Sequence, residues 1–275
     1  MPLSKIKNIV IAVLLAANLF FLAIVVADAM SDRRTERETF DNLSALCDRS
    51  GVSLKTDVLP PDSEATAYAA KRSVEAEKKL AERLLGETES RESGGNVYSY
   101  TGERGTAVFR TGGEFSATID TNDLHADGNP AKYAVKLLQE AGLTAEAVEM
   151  PGQAGETRVL AVCTLDRVRI WNCAVDIVFD GDSCIREMEG RVYCVGSARA
   201  SETKATSAPT AVVAFISAVR SGDVSCTELR SVELGYVMSS TPFGETELSP
   251  AWRVSADSGE YYIDVGTGEL ISGVL

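Results

Sequence analysis

The sequence predicts an α+β protein in which an N-terminal transmembrane helix is followed by tandem helix-plus-antiparallel-sheet units. Two observations predict this class. An apolar run lies near the N-terminus, and one unit recurs along the rest of the chain. The unit is a helix with a proline near its start, followed by three or four alternating strands, at residues 129–195 and 209–275, with a looser copy at 65–121. Each unit packs one helix on one face of a sheet.

The apolar run at residues 9–29 has the length of a membrane span. Its first nineteen residues carry no charge and a single polar side chain, Asn18. An α-helix of that length rises roughly 28 Å, close to the thickness of the hydrocarbon core. We therefore expect an anchor. Cleavage is the alternative, because Ala27-Asp28-Ala29 fits the small-x-small pattern of signal peptidase sites.

The charges around this run predict its orientation. Lys5 and Lys7 precede it, and the ten residues that follow it carry mixed signs. The positive-inside bias then places a short tail, residues 1–8, in the cytoplasm and the C-terminal domain outside. We expect a single-pass protein of the cell membrane with an extracytoplasmic domain.

The predicted span carries a stripe of small residues. The alanines of this stripe fall within about 60° of one another on a helical wheel, and Asn18 points roughly the opposite way. Small residues let helices approach closely in lipid, and a buried amide needs a hydrogen-bond partner. We therefore expect partner-binding residues within the membrane, while an alanine-rich span without such a role is the alternative. The candidates are Ala12, Ala16, Asn18, Ala23 and Ala27.

Composition argues against several classes of function. The net charge is −13 and the pI is near 4.7, which disfavours nucleic acid and anionic lipid as partners. A single histidine, His125, excludes most hydrolytic triads, and no GxSxG, HExxH or P-loop pattern occurs. Asp264 and Glu269 flank a turn and are expected to be surface residues. We expect a protein that is not an enzyme and holds no cofactor or metal.

The six cysteines have an open interpretation. No CxxC spacing occurs and no thiol is near His125 in the sequence, so a zinc site is not expected. A hairpin turn at Gly181-Asp182 would place Cys173, Cys184 and Cys194 on one apolar face. We expect these three thiols to be buried, with at least one disulfide of unknown pairing as the alternative.

The remaining elements follow from local signals in chain order. The pattern predicts helices at residues 31–49, 65–87, 129–142 and 209–222, with Asn129 as the N-cap of the third. Short runs predict strands at 51–59, 96–120, 157–165, 167–179, 183–195, 227–240, 251–256, 260–265 and 269–274. Residues 89–95 are expected to form a loop. The domains then span residues 31–121, 122–195 and 209–275, with a linker at 196–208.

Three stretches together resemble a known family. They are "SKIKNIVIAVLLAANLFFL", "GNVYSYTGERGTAVFRTGGEFSATI" and "LSPAWRVSADSGEYYIDVGTGELI". The last resembles the ending of PepSY-like modules, in which Trp252 and Ile263 would fill a core. All three in this order resemble the YycI family and its sister YycH, single-span extracytoplasmic proteins of Gram-positive bacteria. The six cysteines depart from the usual pattern of that family.

The resemblance implies a regulatory function. We expect a membrane-anchored extracytoplasmic protein that binds and modulates the sensor histidine kinase of the cell-wall two-component system. Its partners would be that kinase and a sister YycH-like protein, contacted through the transmembrane helix and the ectodomain. The alternative is an anchored or secreted PepSY-type inhibitor or binding module for an envelope protease or cell-wall hydrolase, which would present a free strand or loop. A glycan-binding module is a third class.

Overall fold

The computed structural model describes residues 35–56, 59–60, 65–153, 155–196, 198–203, 206–240 and 245–271. The helices are α1 (35–49), α2 (Val74–Leu85), α3 (Pro130–Glu140) and α4 (Ala208–Ser221). The strands are β1 (Ser53–Leu54), β2 (Ala65–Lys71), β3 (Thr88–Glu92), β4 (Tyr98–Gly102), β5 (Gly105–Phe109), β6 (Glu114–Ile119), β7 (Ala145–Pro151), β8 (Thr157–Leu165), β9 (Val168–Phe179), β10 (Ile185–Arg191), β11 (Arg199–Thr203), β12 (Glu228–Ser240), β13 (Glu245–Ala256), β14 (Gly259–Asp264) and β15 (Leu270–Ile271).

The strands join into one large mixed sheet of 15 strands, so the predicted series of separate helix-plus-sheet units is wrong. This sheet has two parts, which are called the first sheet and the second sheet below. The first sheet runs β7-β8-β9-β10-β6-β5-β4-β3, and the second contains β1, β2 and β11–β15. They meet where β9 and β12 form a single parallel pair, Ile170 with Tyr236. The chain also interleaves, because β2 precedes α2 yet pairs with β13 and β11 of the second sheet.

The transmembrane part of the fold prediction has no counterpart in the structure. The predicted span at residues 9–29 lies outside the described residues. Within the part of the chain that is described, no helix combines the length and the apolar character needed to cross a bilayer.

Two helix pairs cover the two sheets and enclose separate cores. In the first core, α2 and α3 pack on one face of the first sheet, and its large members include Leu80, Leu84, Tyr100, Phe109, Phe115, Leu138 and Phe179. In the second core, α1 and α4 pack on the second sheet, and its members include Leu43, Val52, Phe215, Ile216, Trp252 and Val254. The opposite face of the first sheet carries no helix among the described residues, which leaves that face open.

The predicted helix at residues 65–87 begins too early. Its first part is strand β2, and the helix starts only after Ser73, whose hydroxyl accepts a hydrogen bond from the Ala76 N–H. Alanine-rich sequence favours a helix locally. Here the backbone of β2 is paired on both sides, with β13 and with β11, so tertiary pairing overrides the propensity.

Three strands were not expected. β3 occupies the predicted loop at residues 89–95, β11 lies in the segment interpreted as a linker, and β7 follows α3 where no element was predicted. Among the described residues, β3 and β7 are paired on one side only. Most side chains of both strands are exposed on either face, so neither sequence shows the alternation of buried and exposed residues that marks a strand.

Local helix signals were more reliable. Asn129 caps α3 through its side chain, which accepts from the Lys132 N–H, and a proline follows within the first turn. Gly222 ends α4 in the left-handed conformation, at φ 87°. Helix caps depend on a few neighbouring residues, which is why the cap at Asn129 was predictable.

The prediction that Cys173, Cys184 and Cys194 are buried is confirmed, since their exposed fractions are 0%, 2% and 6%. The turn predicted at Gly181-Asp182 places Cys184 opposite Phe179 and Cys173 opposite Gly190, and this register was wrong. Phe179 pairs with Ile185, and the register shifts again before Glu187. The pairing is displaced by one residue at Phe179 and by two residues from Glu187 onward. A displacement of two residues keeps each side chain on the same face, so the buried face is preserved although the partners differ.

The junction between the sheets is held by a side chain. The Asn172 amide donates to Met238 O and accepts from Met238 N, both at 2.8 Å, and so replaces missing backbone pairing. Close by, the backbone at Gly235 lies against the indole of Trp171. A Cβ at position 235 would come within 2.3 Å of Trp171 Nε1, so only glycine fits.

Candidate functional site

Strand β7 forms one outer edge of the first sheet. Within the described residues it pairs only with β8, from Ala145 opposite Cys163 to Pro151 opposite Thr157. The Thr164 N–H donates to Thr144 O at 2.8 Å in the same register. In an antiparallel ladder the hydrogen-bonded residues alternate, so the even-numbered residues of β7 bond to β8.

The odd-numbered residues of β7 therefore direct their backbone groups away from the sheet. Ala145, Ala147 and Glu149 each present an N–H and a C=O at the free edge. Pro151 occupies the next outward position and has no N–H to offer. The edge can thus accept an added strand over three residues and ends at the proline.

The side chains of β7 divide between the two faces of the sheet. Ala145 and Ala147 pack against the first core. Val148 and Met150 point to the open face, with exposed fractions of 65% and 45%. These are two of the few large apolar side chains that are exposed in the described chain. They are two positions apart on β7 and therefore lie side by side on the same face of the sheet.

The apolar surface continues across the neighbouring strands. Val148 lies opposite Leu160 of β8. Val162 follows on the same face of β8, and Val178 lies on that face of β9; these three neighbours are partly exposed. The β7 surface is defined here as the free backbone edge of β7 together with Val148, Met150, Leu160, Val162 and Val178. An apolar patch on a sheet edge is typical of a protein-binding surface.

Charged groups frame the β7 surface. Arg158, opposite Met150, forms an ion pair with Asp176 within the patch. Glu149 accepts a hydrogen bond from the Asn129 side chain at 2.5 Å. Further along the open face, Glu187 and Glu189 of β10 are exposed. The surroundings are therefore predominantly acidic.

A shallow groove lies at the sheet junction, near the turn between β8 and β9. Its volume is about 410 Å³, and its lining includes Arg169, Trp171 and Glu233. The guanidinium of Arg253 covers the Trp171 ring at 4.3 Å and donates to Glu233 at 2.8 Å. Arg169 in turn pairs with Glu146 of β7 at 2.8 Å. The charged groups form ion pairs with one another, so this cluster braces the junction and one end of β7.

The sequence-predicted positions have different outcomes. Ala12, Ala16, Asn18, Ala23 and Ala27 lie outside the described residues, and their role stays a prediction. The β7 surface was missed by the sequence analysis. The available signal was the pair of apolar residues Val148 and Met150 set among glutamates, which is too short to separate a strand from a loop.

Other residues singled out in the sequence have structural roles. The Asp264 carboxylate accepts from the N–H groups of Gly266 and Thr267, which makes it a turn residue as expected. His125 contacts the Asp127 carboxylate at 3.0 Å, and its backbone pairs with that of Cys184, a proximity that sequence spacing did not indicate. Among the described residues no group of three or more metal-binding side chains converges.

The comparisons with known proteins show a fold but no family. No protein-family model matches the chain, and no curated protein matches it. Among solved structures, an uncharacterized protein from Eubacterium rectale ATCC 33656 is similar, with a TM-score of 0.51 and 10% identity. The match covers 81% of this chain and 90% of that one, so the two share an overall fold.

A second solved structure is similar at a coarser level. It is the YpeB C-terminal domain of Bacillus megaterium, with a TM-score of 0.36 and 12% identity over 73% of this chain and 96% of that one. A TM-score this low carries no argument for the PepSY-like module expected at the C-terminus, which stays a prediction. None of these matches points to the YycI family specifically.

Proposed function

We propose that this protein is a non-catalytic regulator that works outside the cell membrane by binding a partner protein through the β7 surface. The observation that carries the proposal is a free strand edge bordered by exposed apolar side chains, Val148 and Met150. Backbone pairing at such an edge supplies affinity, and the side chains on one face supply specificity.

The proposed occupant is an extended segment of a different protein, with apolar side chains on one face and basic residues nearby. The open face around the edge is acidic, with Glu187 and Glu189 exposed, and the chain carries a net charge of −13. A second copy of this chain would bring like charge to like charge, whereas a basic partner complements it.

The partner proposed first is the sensor histidine kinase of a cell-wall two-component system, because that is what the resemblance to the YycI family implies. A regulator without chemistry of its own acts by binding one signalling state of the kinase better than the other. A coupling of about 1–3 kcal/mol is enough to change the populations 5- to 150-fold.

Binding to the purified extracytoplasmic domain of such a kinase from the same genome tests this proposal. We expect the double variant Val148→Lys/Met150→Lys to weaken binding roughly 10- to 100-fold, about 1.4–2.8 kcal/mol. Glu89→Lys on β3 is the matched control, because it also changes the charge by two units but lies at the opposite edge. Equal weakening by both variants would assign the effect to net charge, and no binding by the unsubstituted chain would refute the kinase as partner.

A second candidate function is inhibition of an envelope protease or cell-wall hydrolase. The free strand β7 favours it, because proteases bind extended segments along their clefts. One experiment distinguishes the two candidate functions. An inhibitor slows peptide hydrolysis by the protease and loses this effect in the Val148→Lys/Met150→Lys variant, while the kinase domain does not bind.

A further inference from the structure

Two buried thiols from neighbouring strands face each other in the first sheet. Cys163 lies on β8 and Cys173 on β9. Val162–Ala174 is the last regular pair of this part of the β8–β9 ladder, and Cys163 and Cys173 are the next residue on each strand, where the register shifts. Opposed residues of antiparallel strands have Cα atoms about 4.5–5.5 Å apart, within the range of about 4.4–6.8 Å that disulfides span.

The side chains confirm that the two sulfurs are close. Both thiols are directed at one acceptor, the carbonyl oxygen of Arg191, at 3.9 Å for Cys163 Sγ and 3.3 Å for Cys173 Sγ. Both residues also belong to the same small buried cluster, together with Ile170, Tyr236, Met238 and Leu248. Their exposed fractions are 2% and 0%. The fold thus brings both thiols to the same carbonyl oxygen in one buried cluster.

We propose that Cys163 and Cys173 are an oxidisable dithiol that forms a cross-strand disulfide. The oxidant is a disulfide of another molecule, either a small-molecule disulfide or an exported thiol–disulfide oxidoreductase. One thiolate attacks that disulfide and forms a mixed disulfide, and the second thiolate displaces the leaving thiolate. The two thiols lose two protons and two electrons, and the oxidant is reduced to two thiols.

The surroundings indicate when the reaction takes place. Both thiols are almost completely buried, so a disulfide of another molecule does not reach them in the folded chain. Thiol–disulfide exchange needs direct access of one sulfur to the other. Oxidation therefore takes place during folding, before the strands pack, when the two cysteines are connected by only a short hairpin at Asp166. The folded state then protects the bond.

Mapping the thiols of the full-length chain tests the pairing directly. Cells are quenched in acid, free thiols are alkylated under denaturing conditions, and the protein is digested. Trypsin separates Cys163 from Cys173, because arginines 167 and 169 lie between them, and cleavage before Asp176 separates Cys173 from Cys184. We expect a linked Cys163–Cys173 peptide pair. A bond from either cysteine to Cys194, or alkylation of both thiols, would overturn the proposal.

Refolding in vitro provides a second readout. Chain refolded with oxidised glutathione should melt roughly 5–10 °C above chain kept in reductant. Cys163→Ala should abolish this difference, whereas Cys226→Ala, in the second core, should retain it. If Cys163→Ala does not fold, the comparison of oxidised and reduced unsubstituted chain still decides, since equal melting temperatures and free thiols would refute the bond.

Discussion

The two outer strands of the first sheet, β3 and β7, both have an unpaired edge but carry different side chains there. Within the part of the chain that the structure describes, each pairs with one neighbour only and so leaves a row of backbone groups unpaired. The exposed side chains of β3 are Glu89, Ser90, Arg91 and Glu92. Those of β7 include Val148 and Met150. Charged edges resist pairing with other chains, whereas apolar edges invite it.

Of these two edges, only β3 is protected along its whole length against pairing with other chains. On β7 the protection is confined to Pro151, which ends the pairing surface, and to glutamates that are held by Arg169 and Asn129. A monomeric protein gains nothing from an exposed apolar edge. The contrast with β3 on the same sheet therefore supports a binding role for β7.

The largest expected effects concern the helices beneath the two edges. Leu138 of α3 and Leu84 of α2 are fully buried in the first core. Either Leu→Ala substitution should lower the free energy of unfolding by about 2–5 kcal/mol in urea titrations. Hydrogen exchange should then accelerate more at β7 in Leu138→Ala and more at β3 in Leu84→Ala. The same exchange pattern in both variants would show that the two edges do not unfold separately.

Proline substitutions test the assignment of the free edge. Val148→Pro removes an N–H that bonds to β8 and should destabilise the fold by about 3 kcal/mol. Ala147→Pro removes an outward N–H and should cost roughly 1 kcal/mol or less, while it weakens partner binding. Thermal unfolding of both variants measures the difference. Equal destabilisation would mean that the hydrogen-bonding alternation along β7 is the reverse.

Converting β3 into an apolar edge should create association that the natural chain avoids. The double variant Glu89→Val/Arg91→Val removes two opposite charges and leaves the net charge unchanged. We expect concentration-dependent self-association in light scattering, because an apolar edge is a template for further strands. Glu89→Gln/Arg91→Gln, which is neutral but polar, is the control and should remain dispersed.

The smallest expected effect is a pH dependence at one end of β7. The Asp180 carboxylate accepts from the Cys184 N–H and pairs with Arg186, and these interactions lower its pKa. A lowered pKa means that the stabilisation is present above the unfolded value of about 3.9 and is lost as the pH falls through the folded value. Because Phe179, next to Asp180, pairs with Thr157 beside Pro151, acid should loosen this end of β7 and leave β3 unchanged.

Hydrogen exchange followed from neutral to acid pH measures this effect. The Asp180→Asn variant should lose the pH dependence at the Pro151 end of β7, because its side chain no longer titrates. An unchanged acid response in that variant would assign the loosening to other carboxylates.

Features that depend on a few adjacent residues followed from the sequence by itself. The cap at Asn129 and the turn at Asp264 were predicted, and so was the burial of Trp252 and Ile263. Each of these is set by local hydrogen bonding or by the alternation of apolar residues along one strand. The sequence also indicated that the cysteines are buried, because they follow that alternation.

The tertiary structure alone decided the rest. An alanine-rich segment became β2 because strands more than a hundred residues away pair with it, and no local pattern encodes such partners. The edge β7 and the opposition of Cys163 and Cys173 depend on which strands become neighbours and in which register. Strand pairing joins distant residues through backbone groups that every residue carries, so the sequence predicts it only weakly. Helices and turns are determined by the side chains of adjacent residues, so the sequence predicts them better.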